Sequence, residues 1–203
     1  MKNKIIYTIG YSAYDVTDFI STLKDNGITC LIDVRSIPKS IRYPQYNSER
    51  LQVFLQDSNV LYRNYAYEFG ARQTETRYYP NGYLDFELFS QSEQFEQGVK
   101  RLENGLRQNQ VLCLMCAEKI PSECHRSILI GRELSKRGYE VRHLIPHEGY
   151  ILQRQIDEQL LDYYYPNRMQ ESIFPENNMS DEEYLRQAYR KRNLEIAFRM
   201  EEN

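Results

Sequence analysis

Residues 111–116 read Val111-Leu112-Cys113-Leu114-Met115-Cys116, a stretch with no charged or amide side chain, preceded by Asn109-Gln110 and followed by Ala117-Glu118. An apolar run this short, too brief for an independent helix and flanked by polar residues, fits a strand covered on both faces in a parallel sheet. Upstream, Phe95, Val99, Leu102 and Leu106 recur at helical spacing and predict an amphipathic helix over 92–108. Downstream, a helix opens near Ser122 and closes at Lys136-Arg137-Gly138, where basic side chains complement the C-terminal dipole and Gly138 supplies the cap. Residues 140–145 then give another strand. Helix, strand, helix and strand in alternation define a layered α/β architecture with parallel neighbours.

The N-terminal half carries the same alternation. Ile5-Ile6-Tyr7-Thr8-Ile9 is β-branched and aromatic and stops at Gly10, after which Val16, Phe19, Ile20 and Leu23 mark a helix closed by Asn26-Gly27. Cys30-Leu31-Ile32-Asp33-Val34-Arg35 is a second buried strand whose charges arrive at its C-terminal end. A helix over 48–56 follows, with Leu51, Phe54 and Leu55 on one face, then a strand over 60–67 and a long Arg- and Tyr-rich loop to about Leu84. Residues 150–165 read as a helix and 166–179 as a polar linker, while Ser180-Asp181-Glu182-Glu183 is a capping box opening a charged helix. The expected fold is α/β, a three-layer Rossmann-like parallel sheet flanked by helices, with a C-terminal helical extension. The α/β domain is assigned to 1–165, and the linker and charged helix to 166–203. Leu185, Ala188, Tyr189, Ile196 and Met200 form only a narrow apolar stripe. This predicts a mostly exposed helix outside the α/β core, available for docking on its own domain or for oligomer contacts.

The chain has 203 residues, 41% hydrophobic and 27% charged, which excludes a disulfide-stapled miniprotein and wholesale disorder. Lys and Arg number 26 against 29 Asp and Glu, a net charge of −3, so any basic site is local. No signal-peptide pattern and no run of about eighteen apolar residues is present, which predicts a cytoplasmic protein with no membrane partner. In that setting the four cysteines, Cys30, Cys113, Cys116 and Cys124, are expected to be reduced thiols, ligands or reactive groups. Eighteen tyrosines with no tryptophan suggest a polar aromatic cleft.

In an open parallel sheet, ligands bind beyond the carboxyl ends of strands where strand order reverses, and the chemistry-bearing residues follow strand ends here. Gly10, Tyr11 and Ser12 follow the first strand, Asp33 and Arg35 close the second, and Glu118, Cys124, His125 and Arg126 follow Cys116. Cys124, in the first turn of a helix capped by Ser122, is a candidate thiolate nucleophile, since unpaired N–H groups there favour an anion. The competing reading is a small side chain packed on the sheet. Asp33 and Arg35 share a strand face, so a salt bridge would aim Arg35 at a ligand. Cys116, Cys124 and His125 offer three soft or borderline metal ligands, with Asp33, His143 and His147 as distant fourth candidates. The spacing Cys-x7-Cys-His lacks a Cys-x2-Cys knuckle, so no metal is assigned and no cofactor is favoured, zinc or iron on those three being the alternative. His143, inside a strand, reads as a structural hydrogen-bonding histidine. Between Arg35 and Tyr79, basic residues 35, 39, 42, 50, 63, 72 and 77 outnumber acids 49, 57, 68 and 75, with seven tyrosines interleaved. That balance fits an anionic small molecule or nucleic acid as partner.

The motifs Thr8-Ile9-Gly10-Tyr11-Ser12, Asp33-Val34-Arg35-x-x-Pro38, Phe69-Gly70 and Met115-Cys116-Ala117-Glu118-x-x-Pro121-x-x-Cys124-His125-Arg126 together resemble the domain of unknown function 488 family over roughly residues 5–146. The resemblance implies an α/β fold and marks Gly10, Ser12, Asp33, Arg35, Pro38, Cys116, Glu118, Cys124, His125 and Arg126 as signature positions; the family usually has histidine where this chain has Tyr11. A looser likeness to the rhodanese family implies persulfide chemistry, but the ten positions between Cys116 and Arg126 exceed that family's compact loop. Two function classes follow. In the first, an enzyme of unassigned reaction uses Cys116 or Cys124 as nucleophile and Glu118 or His125 for proton transfer. Gly10, Tyr11, Ser12, Asp33, Arg35 and Arg126 then bind a phosphate-bearing or other anionic substrate, preferably a nucleotide or nucleic acid. In the second, a non-catalytic nucleic-acid-binding or adaptor domain uses the basic loop, and the cysteine block is structural.

Overall fold

The computed structural model describes residues 4–168 and 179–200. In chain order the elements are β1 (Ile5–Gly10), α1 (Val16–Asp25), β2 (Cys30–Asp33), α2 (Ser48–Gln56), β3 (Leu61–Asn64), the single-turn helices α3 (Ala66–Phe69) and α4 (Phe86–Phe89), and α5 (Glu93–Arg107). They continue with β4 (Leu112–Cys116), α6 (Arg132–Lys136), β5 (Glu140–Ile145), β6 (Gly149–Leu152), α7 (Gln153–Tyr164) and α8 (Asp181–Ile196). The strands form one six-stranded sheet in the order β3-β2-β4-β1-β5-β6. The apolar run around β4 is thus central, parallel to β1 on one side with Gly10 opposite Cys116, and parallel to β2 on the other with Asp33 opposite Met115.

Alternation along the strands builds two apolar layers. Ile6, Cys30, Ile32, Leu112 and Leu114 face one side and pack with Phe95, Val99 and Leu102 of α5 and with Ile156 and Leu160 of α7. Ile9, Leu31, Cys113 and Met115 face the other, against Phe19 and Leu23 of α1 and Leu51 and Leu55 of α2. Helices therefore cover both faces of a mostly parallel sheet, the three-layer arrangement that the alternation of elements predicts. Local chemistry starts these helices where they start: Asp15 accepts from the Asp18 amide at 2.9 Å and Ser92 from the Phe95 amide at 3.1 Å, caps of about 1 kcal/mol each.

Three expectations change. Residues 150–152 lie in β6, antiparallel to β5, and the helix begins only at Gln153. Positive φ angles at His147 (61°) and Gly149 (86°) fold the chain back tightly enough for Tyr150-Ile151-Leu152, all β-favouring, to pair with β5. The strand expected over 60–67 ends at Asn64 and gives way to α3, the Arg- and Tyr-rich loop after it contains a 3₁₀ turn at Thr76–Tyr78, and Tyr78 and Tyr79 of that loop are buried, as are Tyr46 ahead of α2 and Tyr65 after β3. The third change concerns α8. Ala188 and Tyr189 belong to the same apolar cluster as the strand residues of β2 and β4, so this helix, exposed along most of its length as expected, packs one face into the core. Asn193 accepts from the Phe86 amide and donates to the Leu84 carbonyl, both at 2.9 Å, while the Leu84 and Met200 amides donate to Phe198 O and Gly82 O. The stripe looked too thin because part of this interface is polar. Ser180 caps α8 with the reciprocal Glu183 contact read from the sequence. The expected linker lies largely at 169–178, outside the described residues. Among the described residues no helix is long and apolar enough to cross a membrane.

Candidate functional site

Because β1, β2 and β4 are adjacent and parallel, their carboxyl ends open onto one edge of the sheet. Cys116 is the last residue of β4. The chain then loops through Glu118 and a 3₁₀ turn at Pro121–Glu123 to Cys124, whose extended backbone (φ −133°, ψ 140°) precedes a π-helical segment, Arg126–Gly131, that runs into α6. Cys124 O accepts from the Ser127 and Ile128 amides, so Cys124 occupies the helix-capping position itself. This corrects the expectation of Cys124 inside a first turn capped by Ser122. π-Helical insertions are concentrated at functional sites because they re-aim side chains.

The loop folds four chemically active atoms together. Glu118 Oε2 lies 2.8 Å from Cys116 Sγ and 2.9 Å from Cys124 Sγ, and His125 Nδ1 lies 3.5 Å and 3.9 Å from the same two sulfurs. All four atoms fall within 4.8 Å of one another. His125 Nε2 sits 3.1 Å from the Val34 carbonyl. A carbonyl only accepts, so Nε2 carries the proton there and Nδ1 faces the sulfurs. The thiols and the histidine are buried, whereas Glu118 is exposed as a residue and only its carboxyl tip turns in.

Two arginines hold this arrangement by different means. Arg126, fully buried, donates to Glu118 O at 2.6 Å and Lys119 O at 3.2 Å, fixing the backbone of the loop. It is therefore a positioning group, and the expected role as an anion clamp is corrected: no part of it reaches solvent. Gly10 permits the same close approach, since a Cβ there would sit 1.9 Å from Glu118 O. Arg35 is held by Asp33 through Nε at 2.8 Å and Nη2 at 2.6 Å, while Tyr62 OH donates to the same carboxylate at 2.7 Å. Nη1 of Arg35 is buried without a hydrogen-bond partner.

These groups border a cleft of about 390 Å³, within the range of small-ligand sites. Tyr11, Arg35, Cys116, Glu118 and His125 line it, joined by Lys39 and Arg72 from the basic stretch and by Phe198, which the sequence reading missed. Arg72 stacks on Phe198 with its guanidinium carbon 4.7 Å from the ring centre, so the segment after α8 closes one wall. The charge balance of residues 35–79 pointed toward Lys39 and Arg72, and nothing local pointed to Phe198. Asp33, Gly10, Cys124 and Arg126 sit behind the wall. Ser12 anchors the loop by its amide, which donates to Ala117 O at 3.1 Å. Larger hollows of about 530 and 440 Å³, beside Glu93 and Glu182, lie away from the cysteine cluster. His143, a distant candidate ligand, instead spans Thr8 Oγ1 at 2.7 Å and Gln153 Oε1 at 2.8 Å inside the core.

The electrostatics follow from burial and contact. Burial pushes the Cys116 thiol up, and the neighbouring Cys124 and Glu118 push it further. Burial alone would do the same to Cys124, but its hydrogen bond from Cys116, the Arg126 charge and His125 bring it well below an ordinary thiol. Burial and the Cys124 charge raise the Glu118 carboxyl. For His125, contacts with Cys124 and Glu118 outweigh the desolvation that would lower it. Cys30 and Cys113, in the two core layers, are simply raised by burial.

Fold and site together define a three-layer, mostly parallel α/β protein with a Cys/Glu/His cluster at its strand ends. The model of the domain of unknown function DUF488 matches residues 15–132, and the chain belongs to that family. The match contains Asp33, Arg35 and the whole cysteine block, and it leaves out β1 with Gly10, Tyr11 and Ser12. No curated protein and no solved structure matches the chain.

Proposed function

We propose that this protein is an enzyme acting on a phosphate-bearing or other anionic small substrate, a nucleotide by preference, bound in the cleft between Arg35, Lys39 and Arg72 and turned over at the Cys116/Glu118/His125 wall. One observation carries the reading: an Arg35 guanidinium pre-aligned by Asp33 borders the same cleft as a buried thiol, a carboxyl and an imidazole in mutual contact. A guanidinium oriented before binding loses little freedom when it grips an anion. Tyr11, buried and stacked on Tyr46 with ring centres 4.5 Å apart, lies 5.1 Å from the Arg35 guanidinium carbon and backs that side chain. The non-catalytic nucleic-acid-binding alternative keeps less aromatic surface than the sequence offered, because Tyr46, Tyr65, Tyr78 and Tyr79 are committed to the core and of the seven interleaved tyrosines only Tyr67 is well exposed.

The test is calorimetric titration with nucleoside mono-, di- and triphosphates and a short single-stranded oligonucleotide, followed by mass-spectrometric product analysis with wild type and Cys116→Ser. Arg35→Lys and Arg72→Ala should each weaken nucleotide binding about 10- to 100-fold, the size of a lost charge-assisted hydrogen bond. Cys116→Ser should bind and fail to turn over. Anion binding indifferent to Arg35 and Arg72 would sink the proposal.

A further inference from the structure

We propose that Cys116, Glu118, Cys124 and His125 bind one zinc-class divalent ion beside the cleft, Cys116, Cys124 and His125 as fixed ligands and Glu118 as the exposed, exchangeable fourth. The inference rests on the reading of the cleft as an active site, and gives that site its electrophile.

Geometry is the first argument. A tetrahedral zinc ion with bonds of about 2.3 Å to sulfur and about 2.0–2.2 Å to nitrogen and oxygen requires ligand atoms roughly 3.3–3.8 Å apart. Of the two sulfur-to-Nδ1 separations, 3.5 Å falls in this range and 3.9 Å lies just beyond it. The two sulfur-to-Oε2 separations, 2.8 and 2.9 Å, are hydrogen-bond contacts, and lengthen when an ion replaces the protons shared among the three groups. Glu118, being exposed, swings outward without disturbing the core.

Orientation is the second. His125 gives its Nε2 proton to the Val34 carbonyl, which leaves the Nδ1 lone pair aimed at the two sulfurs. Such a hydrogen bond on the far nitrogen is the usual way a metal-binding imidazole is fixed in tautomer and direction.

Charge is the third. Two thiolates and a carboxylate around a divalent ion leave a net −1, and Arg126, fully buried and bonded to carbonyls, supplies the balancing +1. Two sulfurs and an imidazole select zinc or ferrous iron over magnesium or calcium, and tetrahedral geometry favours zinc. An exposed fourth ligand is the arrangement of catalytic sites, where water or substrate takes the open position.

The experiment uses the full chain purified without chelator. Elemental analysis should find about one zinc per chain. After removal and replacement by cobalt(II), the spectrum should show visible bands of a tetrahedral ion with near-ultraviolet thiolate charge transfer. The Cys30→Ser and Cys113→Ser variants should keep the metal, and Cys116→Ser with Cys124→Ser should lose it. Glu118→Gln, altered at an exposed residue, should fold normally, keep the charge-transfer bands, shift the visible ones and weaken cobalt about 10-fold or more. No stoichiometric zinc or cobalt uptake, equal loss in the Cys30 or Cys113 variants, or a Cys116–Cys124 disulfide in the isolated protein would each overturn the metal. Nucleotide binding that persists with its Arg35 dependence in such a metal-free chain would leave the anion cleft standing, so the two readings fail separately.

Discussion

The Cα of Gly10 faces the carbonyl oxygen of Glu118 so closely that a methyl group on Gly10 would lie 1.9 Å from it. That oxygen also receives the Arg126 guanidinium at 2.6 Å. The end of β1 thereby sets where the Glu118 loop runs, and the loop in turn sets the distance between Glu118 and the two thiols.

Gly10→Ala is expected to push the loop off Arg126 and destabilise the fold by about 1–3 kcal/mol, the usual penalty of overpacking. Urea denaturation and cobalt titration check it together. A variant with wild-type stability and cobalt affinity would contradict the close approach.

Asp33→Asn removes the carboxylate that holds Arg35 while leaving the guanidinium buried. A guanidinium stays protonated with or without its partner, so the buried charge persists and goes unpaired. A loss of about 3–5 kcal/mol in stability is expected, as for other buried pairs broken on one side, with nucleotide affinity falling as Arg35 loses its orientation. The double variant with Arg35→Met should recover part of the stability and none of the binding.

His143 gives a pH dependence separate from the cluster. Burial, assisted by the Arg126 charge, lowers its pKa to about 3 in the folded protein, against about 6.5 in the unfolded chain. A depressed folded pKa means stability that is complete above the unfolded value and lost as pH falls toward the folded one, here between about 6.5 and 3. Between pH 7 and 5 this one group should remove about 2 kcal/mol. His125, raised instead, contributes with the opposite sign, so the comparison is wild type against His143→Asn. The difference between their stability curves should shrink by that amount over this interval, and parallel curves would refute it.

Shortening the chain to residue 165 deletes Ala188, Tyr189 and Asn193 from beneath the cleft wall. Tyr189→Ala alone is expected to lose about 3–5 kcal/mol, in line with large aromatic-to-alanine changes, because its hydroxyl also receives the Gln153 amide at 2.8 Å. The truncated chain should melt without a cooperative transition or aggregate. A truncation with a nearly unchanged melting temperature would restore the picture of α8 as an appendage.

Apolar periodicity by itself determined the sheet and its covering helices. The run at 111–116 has no polar residue to turn outward, so β4 had to be central, and the 3.6-residue spacing at Phe95, Val99 and Leu102 had to lie on it. Strand ends also announced the site, since Asp33, Arg35 and Cys116 come where buried strands meet polar loops. What only the tertiary structure decided was which atoms share a space. The four cluster side chains span Cys116 to His125 with no regular spacing, because the loop bends back over Gly10, a contact between residues more than a hundred positions apart, and is tied there by Arg126. Arg126 reads as a substrate clamp in the sequence and is a buried brace in the fold, since charge type is local information and burial is not. Phe198 and α8 illustrate the same limit: a thin stripe becomes a core face only once Asn193 finds the backbone of 84–86, and hydrogen bonding across 107 positions leaves no periodic trace.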